Sequence, residues 1–264
     1  MSFTKLHLQI EGPVAHIRLD QPDTRNAFDD AVIAELTEAF ATVGAMPQVR
    51  AVVLGASGPA FCAGANLHWM RRMADYTREE NIADAGKLAH MLRTIAECPK
   101  PTIARVQGDV YAGGLGLVAA CDVVLSVNTA VYCLSEVRIG LIPATISPYV
   151  IRAMGARAAQ RYFLTAERFS AAEAHRIGLV HEVLDSADAL DAKVAELVKA
   201  FTGSSPAAIT ACKQLLRDVS GRPIDDALVA RTVEGIADIR ASAEGREGVQ
   251  AFLQKRKPAW LAAS

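Results

Sequence analysis

The amino-acid sequence predicts an α/β protein, with a core built on a parallel sheet and a C-terminal region made of helices. Short apolar runs of strand length alternate with longer segments of helical periodicity before residue 187. Beyond that point the apolar positions, such as Leu190, Val194 and Leu197, recur at helical spacing. No linker rich in proline, glycine or serine separates the two halves. We therefore predict an α/β core over residues 1–195 and a helical region over residues 196–264 that mediates self-association.

Composition excludes several classes of protein. The chain has 264 residues, of which 51% are hydrophobic and 22% are charged, which is typical of an ordered globular protein. A net charge of −1 provides no basic field for nucleic acid or an anionic membrane. No apolar run approaches the ~20 residues that span a bilayer, and the first residues lack a secretory-signal pattern. The five cysteines show no paired spacing, as expected of reduced thiols. We expect a cytoplasmic protein without nucleic-acid or membrane partners.

The first hundred residues contain the elements that lead into the core. The segments LHLQI and VAHIRLD alternate like two strands of a hairpin. A helix capped by Asp29 or Asp30 follows, and then a buried strand over residues 49–54. The loop GASGPAFCAGANL after this strand consists of small residues, a composition typical of functional loops. A second long helix over about 78–97 ends before Pro99 and Pro101.

The stretch from residue 104 to 140 contains the strongest indication of chemistry. A short strand ends near Val106, and Gly113 and Gly114 then lead into a short apolar helix. The first N–H groups of a helix have no intrahelical acceptor, and the helix dipole favours negative charge at that end. Glu136 follows among apolar neighbours. A pocket lined by N–H donors beside one carboxylate predicts stabilisation of an enolate and transfer of a proton.

Five motifs together resemble the crotonase, or enoyl-CoA hydratase/isomerase, family. They are RNAF at 25–28, FCAGANL at 61–67, YAGGLGLVAACD at 111–122, LSEVRIGLIPA at 134–144 and FLQKRKPAW at 252–260. The resemblance implies the ClpP/crotonase-like ββα superhelix with a C-terminal helical trimerisation region. It also implies an acyl-CoA substrate, a homotrimer or a dimer of trimers, and no cofactor apart from the coenzyme A of the substrate.

The resemblance assigns three catalytic positions. The N–H groups of Ala63 and Gly113 are expected to form the oxyanion hole, and Glu136 is expected to handle the proton on the α-carbon. Small side chains suit the first two positions because only the main chain acts there and the thioester oxygen must approach closely. One preorganised donor of this kind is typically worth ~3–4 kcal/mol of barrier.

Gly116 departs from the family pattern. Typical enoyl-CoA hydratases carry a second glutamate at this position, so the two-carboxylate arrangement is absent here. The sequence from Cys133 to Phe169 resembles the bacterial methylglutaconyl-CoA hydratases of leucine degradation and the related isohexenylglutaconyl-CoA hydratases. Both groups act on branched substrates that carry a second carboxylate, for which Gly116 would make room. The prediction is a 3-methylglutaconyl-CoA hydratase of leucine or related branched-chain or isoprenoid degradation. The alternative is a Δ3,Δ2-enoyl-CoA isomerase that uses Glu136 alone.

A further set of residues is predicted to contact coenzyme A or the acyl group. Arg25 and Lys255 are candidates for coenzyme A phosphates, Tyr111 lines the acyl pocket or packs, and Asn66 stands where many family members have aspartate. His68, Arg71 and Arg72 are candidates for the distal carboxylate, and an exposed helix face is the alternative for each. The complete predicted contact set is Arg25, Ala27, Ala65, Asn66, Leu67, Tyr111, Gly116 and Lys255.

Two other functional classes fit poorly. One crotonase-family hydratase also binds RNA through a lysine-rich helix, but the corresponding segment here, DDAVIAELTEAFATVGAMPQ, contains no lysine or arginine. Ser135 lies beside Glu136, but no histidine shares a nucleophile motif with it, which argues against a serine hydrolase. No cluster of histidine and cysteine has the spacing of metal ligands, so no metal site is predicted.

Overall fold

The computed structural model describes residues 3–261, and strands that are mostly parallel form its centre. The ten strands are β1 (Leu6–Glu11), β2 (Val14–Leu19), β3 (Ala51–Ala56), β4 (Ala60–Cys62), β5 (Thr102–Val106), β6 (Asp109–Tyr111), β7 (Val123–Val127), β8 (Val131–Cys133), β9 (Phe169–Ser170) and β10 (Glu182–Leu184). Helices follow most of these strands, which confirms the predicted α/β class.

Ten α-helices surround the strands within the described residues. They are α1 (Asp30–Ala45), α2 (Leu67–Met73), α3 (Arg78–Ala96), α4 (Gly113–Ala120), α5 (Ser147–Thr165), α6 (Ala171–Arg176), α7 (Ala187–Gly203), α8 (Pro206–Val219), α9 (Asp226–Ala241) and α10 (Ala243–Leu253). Gly155 interrupts α5 with φ 77°, a left-handed value that favours glycine. Gly155 therefore divides α5 into two shorter helical segments.

The larger sheet has six strands in the order β1-β2-β3-β5-β7-β10. The predicted N-terminal hairpin forms its first antiparallel pair, with Leu6 opposite Leu19, and the remaining strands pair in parallel. All six residues of β3 are buried, as its continuous apolar sequence predicts. Strand β3 is therefore an inner strand of the core and has no face toward solvent.

The smaller sheet positions the functional loops. Its order is β4-β6-β8-β9, and β4, β6 and β8 are parallel neighbours. Parallel neighbours end at the same edge of a sheet, where ligand sites of α/β proteins commonly lie. The chain leaves β4 for the loop 63–66, leaves β6 for α4, and leaves β8 for a 3-10 helix over Glu136–Ile139. The three motifs that the sequence singled out therefore meet at one edge.

The division of the chain at residue 195 needs a correction. This position lies inside α7, whose Leu190 and Val194 are buried against the core. Arg105 of β5 also holds Asp191 of this helix through two hydrogen bonds, of 2.5 and 2.9 Å. Helix α7 is thus part of the α/β core, and the separate helical region begins with α8.

Candidate active site

The loop 63–66 is held by main-chain hydrogen bonds to the loop 25–28. Ala63 N–H donates to the carbonyl oxygen of Arg25 at 3.0 Å. Phe28 N–H donates to Gly64 O and Asn66 N–H donates to Phe28 O, both at 2.9 Å, so that Phe28 and Ala65 form a parallel bridge. In this parallel bridge, the two hydrogen bonds of Phe28 are made with Gly64 and Asn66, the residues on either side of Ala65. The N–H of Ala65 therefore points away from Phe28 and has no acceptor among the described residues.

This geometry corrects the predicted oxyanion hole. The N–H of Ala63 is already bonded to Arg25 and is not free for a thioester oxygen. The free donor lies two residues later, at Ala65, which the sequence suggested only as a substrate contact. Small residues occupy both positions, so composition alone did not distinguish them. The difference depends on which residue pairs with Phe28.

The N-terminus of α4 supplies the second donor. Gly113 is its first residue, so the Gly113 N–H has no acceptor within the helix. Ala112 before it has φ 48° and ψ −123°, a conformation unusual for alanine, and its N–H donates to Cys133 O at 2.8 Å. A Cβ on Gly64 would stand 3.2 Å from the Cβ of Ala112, so the two loops are in contact. The two free N–H groups, at positions 65 and 113, therefore lie in adjacent loops.

Close packing explains why positions 113 and 114 are glycine. A Cβ on Gly113 would stand 2.4 Å from Cζ of Phe28, and one on Gly114 would stand 2.9 Å from Cβ of Cys62. Neither distance is compatible with a side chain. The Phe28 ring in turn packs on Trp69, with 5.8 Å between the ring centroids. The buried side chains of Phe28 and Cys62 thus fix the position of the first turn of α4.

Glu136 begins the 3-10 helix that follows β8 and is half-buried. Its Oε2 atom is buried and has no hydrogen-bond partner within residues 3–261. Burial raises the pKa of this carboxyl above its ordinary value of 4.5. Arg138, two residues later, donates to the carbonyl oxygen of Ala166 at 2.7 Å and ties the segment to the end of α5. The arrangement provides a carboxyl group that is positioned, desolvated and free to exchange a proton.

The expectation that Gly116 opens a pocket for substrate is wrong. A Cβ at this position would stand 2.3 Å from Cγ2 of Ile146 and 3.4 Å from Cδ2 of Leu92. Gly116, Ile146 and Leu92 are all buried. The space beside Gly116 is therefore filled by the protein itself, and the glycine is needed for packing.

The remaining predicted residues fall into two groups. Near the loops, Ala27 is buried, Asn66 caps α2 by accepting the N–H of His68 at 2.9 Å, and Leu67 is 70% exposed. Arg25 lies on the surface with one guanidinium nitrogen 3.9 Å from Asp109. Lys255 instead lies in the exposed turn after α10, within the helical C-terminal region.

Arg72 and Tyr111, two residues predicted to contact the substrate, each interact with another side chain of the protein. Arg72 donates to Asp30 at 2.6 Å, so this guanidinium is not free for a substrate carboxylate. Tyr111 is half-buried, and the guanidinium of Arg168 lies over its ring at 5.6 Å from the centroid. His68 and Arg71 lie on the exposed side of the short helix α2, as the alternative interpretation predicts.

Asn26 is a structural residue that was not predicted from the sequence. It is 2% exposed, and its Nδ2 donates to Ser57 O at 2.7 Å and to Ala60 O at 2.8 Å. Its Oδ1 accepts the N–H of Gln21 at 2.9 Å. These bonds hold the loop 25–28, and therefore Ala65, in place. The RNAF motif contains this residue, and an asparagine directly before the apolar pair Ala27 and Phe28 was the available signal.

Within residues 3–261, no group of three or more His, Cys, Asp and Glu side chains is arranged to hold a metal ion. None of the helices in this range is both long enough and apolar enough to cross a membrane.

Comparison with known proteins identifies the family. The family model for enoyl-CoA hydratase/isomerase matches residues 9–262. A crystal structure of an enoyl-CoA hydratase from Shewanella pealeana is 42% identical, with a TM-score of 0.95, and the match covers 98% of this chain and 96% of that one. Enoyl-CoA hydratase ACTT6 of Alternaria alternata is 33% identical over 93% of this chain and 80% of the relative. Carnitinyl-CoA dehydratase of Salmonella agona is 30% identical over 97% of each chain. The chain therefore belongs to the enoyl-CoA hydratase/isomerase, or crotonase, family, has the crotonase fold, and is a carbon–oxygen lyase of the enoyl-CoA hydratase type that acts on acyl-CoA.

Proposed function

We propose that this enzyme hydrates a branched enoyl-CoA, with 3-methylglutaconyl-CoA as the substrate, in leucine or related branched-chain or isoprenoid degradation. The observation that supports this proposal is the single carboxyl group at the site, Glu136, whose buried Oε2 has no partner within residues 3–261. No carboxylate stands at position 116, and apolar side chains fill that flank. The reaction at this site therefore uses one carboxyl group, and the choice of a branched substrate rests on the resemblance of residues 133–169 to methylglutaconyl-CoA hydratases.

The mechanism uses two main-chain donors and one carboxylate. The thioester oxygen accepts hydrogen bonds from Ala65 N–H and Gly113 N–H. Glu136 takes a proton from water as the water oxygen adds to C3, and the electron pair of the double bond moves onto the thioester as an enolate. Glu136 then returns the proton to C2, and the enolate collapses to the 3-hydroxyacyl thioester. One carboxyl group serves both steps because they occur in sequence on the same face.

The proposed reaction requires no cofactor apart from coenzyme A, which is part of the thioester substrate. Arg25, Asn66 and Leu67 border the loops that would follow the coenzyme A chain, and Arg25 has an exposed guanidinium for a phosphate. Lys255 is assigned to a phosphate of coenzyme A bound to a neighbouring subunit. The proposed location is the cytoplasm, and the proposed assembly is a homotrimer or a dimer of trimers.

A labelling experiment tests this proposal. The enzyme is incubated with 3-methylglutaconyl-CoA in water enriched in oxygen-18, and the product is analysed by mass spectrometry. We expect a 3-hydroxyacyl-CoA that carries one labelled oxygen, and we expect Glu136→Gln to form it at least ~10²-fold more slowly. Absence of label incorporation by the wild-type enzyme would contradict the proposal.

The second candidate function is a Δ3,Δ2-enoyl-CoA isomerase. It is favoured by the same observation, because moving a proton between two carbons needs only one carboxylate. In that reaction no oxygen from water enters the product. Incubation with a 3-enoyl-CoA, followed by analysis of the double-bond position, separates the two functions: migration of the double bond without label would support the isomerase.

A further inference from the structure

Arg168 lies at the edge of the smaller sheet where the catalytic loops meet. Strand β9 is antiparallel to β8, with Tyr132 opposite Phe169, so β9 begins at the edge where β8 ends. The same register places Arg168, the residue before β9, opposite Cys133, the last residue of β8. The side chain of Arg168 is exposed. The topology thus brings a guanidinium group to the edge of the sheet that carries the catalytic loops.

The side chain of Arg168 reaches across β8 toward the start of α4. Its Cζ atom lies 5.6 Å from the centroid of the Tyr111 ring, and Tyr111 is the last residue of β6. Tyr111 pairs with Cys133 on β8, so the side chain of Arg168 passes over this cysteine to make the contact. Stacking on an aromatic ring fixes the plane of a guanidinium and leaves its N–H groups available. Tyr111 is two residues before Gly113, so these N–H groups lie near an oxyanion donor.

A second guanidinium group lies beside the same cysteine. Arg138, two residues after Glu136, donates to Ala166 O at 2.7 Å, and the thiol of Cys133 donates to the same oxygen at 3.2 Å. Burial raises the pKa of this thiol, and the charges of Arg138 and Arg168 both oppose the rise, as expected of cations close to it. Two positive charges therefore stand near one side chain at the catalytic edge.

Neither guanidinium has a carboxylate partner in the described part of the chain. The guanidinium of Arg168 makes no hydrogen bond or ion pair within residues 3–261, and that of Arg138 makes only the bond to Ala166 O. The acid next to Arg168 in the sequence, Glu167, already accepts two hydrogen bonds from Arg161, at 2.7 and 3.1 Å. Like charges at close range repel each other, and a bound carboxylate would offset this repulsion. The two arginines therefore provide a site for an anion.

We infer that Arg168, assisted by Arg138, binds a carboxylate on the acyl group of the substrate, an inference that rests on the proposed function and extends it. The substrate class is an acyl-CoA whose acyl chain ends in a carboxylate, as in the proposed 3-methylglutaconyl group. A guanidinium pairs with a carboxylate through two parallel N–H···O bonds, which also orients the acyl chain. Coenzyme A phosphates are the other anions of the substrate, but the pantetheine chain holds them away from the thioester. The acyl carboxylate is a few bonds from the reacting carbons.

Binding of two unreactive thioesters tests this assignment independently of turnover. Glutaryl-CoA carries a terminal carboxylate, butyryl-CoA lacks it, and neither has a double bond to hydrate. We expect the wild-type enzyme to bind glutaryl-CoA more tightly in calorimetric titrations, and Arg168→Gln to lower the ratio of the two affinities at least ~10-fold. Arg18→Gln is the matched control, because the Arg18 side chain is also exposed and makes no hydrogen bond or ion pair within residues 3–261, but lies on β2 of the larger sheet.

Two results of these titrations would overturn the inference. The first is a ratio of affinities that Arg168→Gln leaves unchanged while both thioesters still bind as they do to the wild-type enzyme. The second is an equal loss of affinity for both thioesters, which would assign Arg168 to a phosphate of coenzyme A. Arg138→Gln should lower the ratio by roughly twofold to fivefold, as expected of an exposed charge, and no change would remove Arg138 from the site.

The Tyr111 ring is tested as a positioning group for Arg168. Tyr111→Leu removes the aromatic face under the guanidinium and should lower the ratio of the affinities for glutaryl-CoA and butyryl-CoA. Tyr111→Phe keeps that face and should retain the wild-type ratio. Equal ratios in both variants would show that the ring does not position Arg168.

Turnover of a matched pair of substrates connects the site with the proposed function. 3-Methylglutaconyl-CoA and 3-methylcrotonyl-CoA share the methyl branch, and only the first carries a second carboxylate. Arg168→Gln should lower the ratio of kcat/KM for hydration of the first over the second at least ~10-fold. Arg168→Lys keeps a charge without the planar fork and should retain part of the ratio. A ratio that stays at the wild-type value in Arg168→Gln would overturn the inference.

Failure of the proposed function is distinguishable from failure of this inference. A wild-type enzyme that hydrates neither branched substrate contradicts the proposed function, while the affinities for glutaryl-CoA and butyryl-CoA still report on Arg168. An enzyme that hydrates 3-methylglutaconyl-CoA equally well with Arg168→Gln retains the proposed function and loses the role of Arg168.

Discussion

The chemistry at the residue scale depends on how Glu136 is held. Its carboxyl group is half-buried, and the oxygen Oε2 has no partner within the described residues. A surface glutamate would be hydrated and would remain ionised well below neutral pH. Desolvation makes the ionised form of Glu136 less stable, and this favours proton uptake from a water molecule.

The raised pKa of Glu136 predicts the acid limb of the pH profile. The ionised form is the base, so kcat/KM falls as the pH drops through the pKa of the free enzyme. Because burial raises this pKa, the midpoint of the fall should lie above the ordinary value of 4.5. Measurement of kcat/KM from pH 4 to 9 on a hydratable enoyl-CoA tests this. A midpoint at or below the ordinary value would show that Glu136 is solvated in the free enzyme.

Replacing individual main-chain N–H groups distinguishes Ala65 from Ala63. An ester at residue 65, introduced by substituting lactic acid for alanine, removes the proposed oxyanion donor, and kcat should fall by about 10²–10³-fold. The same replacement at residue 63 removes the hydrogen bond to Arg25 O instead and should cost about 1 kcal/mol of stability with a much smaller loss of kcat. Steady-state kinetics and urea unfolding of both proteins are the measurements. The opposite pattern would return the role to Ala63.

Some of these residue-scale features could be predicted from the sequence and others could not. Glu136 and Gly113 were predicted from an apolar setting and a Gly-Gly helix start, which are local features. The choice between Ala63 and Ala65 depends on a bridge to Phe28, and the role of Gly116 depends on Ile146, thirty residues away. Long-range contacts of this kind cannot be recognised from the local amino-acid composition.

At the scale of elements, the longer strands β1, β2, β3 and β5 were predicted, but the division of the strands into two sheets was not. The short strands β4, β6 and β8 have only three residues each, too few for a periodic pattern. Their pairing brings the three functional loops to one edge. The end of the core was misplaced for a related reason, since α7 resembles the later helices in sequence and differs from them only in what it contacts.

Glu35 links α1 to the beginning of β1. Its carboxylate accepts the N–H groups of Thr4, Lys5 and Leu6 at 2.9 to 3.2 Å, and the hydroxyl of Thr4 at 2.7 Å. Burial opposes ionisation of this carboxyl, but the hydrogen bonds from Thr4, Lys5 and Leu6 outweigh it, and the pKa of Glu35 lies below 4.5. The ionised form is therefore favoured in the folded protein.

This link predicts a pH-dependent contribution to stability. A carboxyl whose folded pKa is lowered stabilises the protein above its unfolded pKa, and the contribution is lost as the pH falls through the folded value. Glu35→Gln should lower the free energy of unfolding by about 1–2 kcal/mol at pH 7, and the difference from wild type should shrink below pH 4.5. Urea unfolding from pH 3 to 7 measures this. Glu38→Gln, on an exposed position of the same helix, is the control. A constant difference at all pH values would show that the charge of Glu35 is not involved.

At the scale of the whole molecule, the helical C-terminal region is attached to the core at specific points. Lys213 of α8 is 7% exposed, forms an ion pair with Asp122 and donates to Lys100 O at 2.9 Å. Thr210 of the same helix donates to Pro99 O at 3.0 Å. Helix α8 thus joins this region to the core, while α9 and α10 retain apolar residues on their outer surfaces.

The outer surface of α9 tests the proposed assembly. Val229, Val233 and Ile236 are 48%, 60% and 48% exposed, and their spacing places them on one helix face. Phe252 and Leu253 at the end of α10 are 83% and 72% exposed. A monomer would leave these apolar side chains in water and would lack the free energy gained by burying them. A row of exposed apolar side chains on one helix face is typical of interaction sites. The proposed self-association through this surface would bury these side chains.

A charge placed on this face should therefore separate the subunits. Ile236→Asp puts a carboxylate into the proposed interface, where it would be desolvated without a partner, so the mass measured by light scattering should fall from that of a trimer or hexamer toward one subunit of 28.1 kDa. Gly235→Asp is the matched control: it adds the same charge on a different side of α9, where a Cβ meets nothing within 4 Å, and the oligomer should persist. Circular dichroism of both variants verifies that the helices remain folded. A wild-type protein that is monomeric at micromolar concentration, or an Ile236→Asp variant that keeps the full mass, would show that this face does not hold the subunits together.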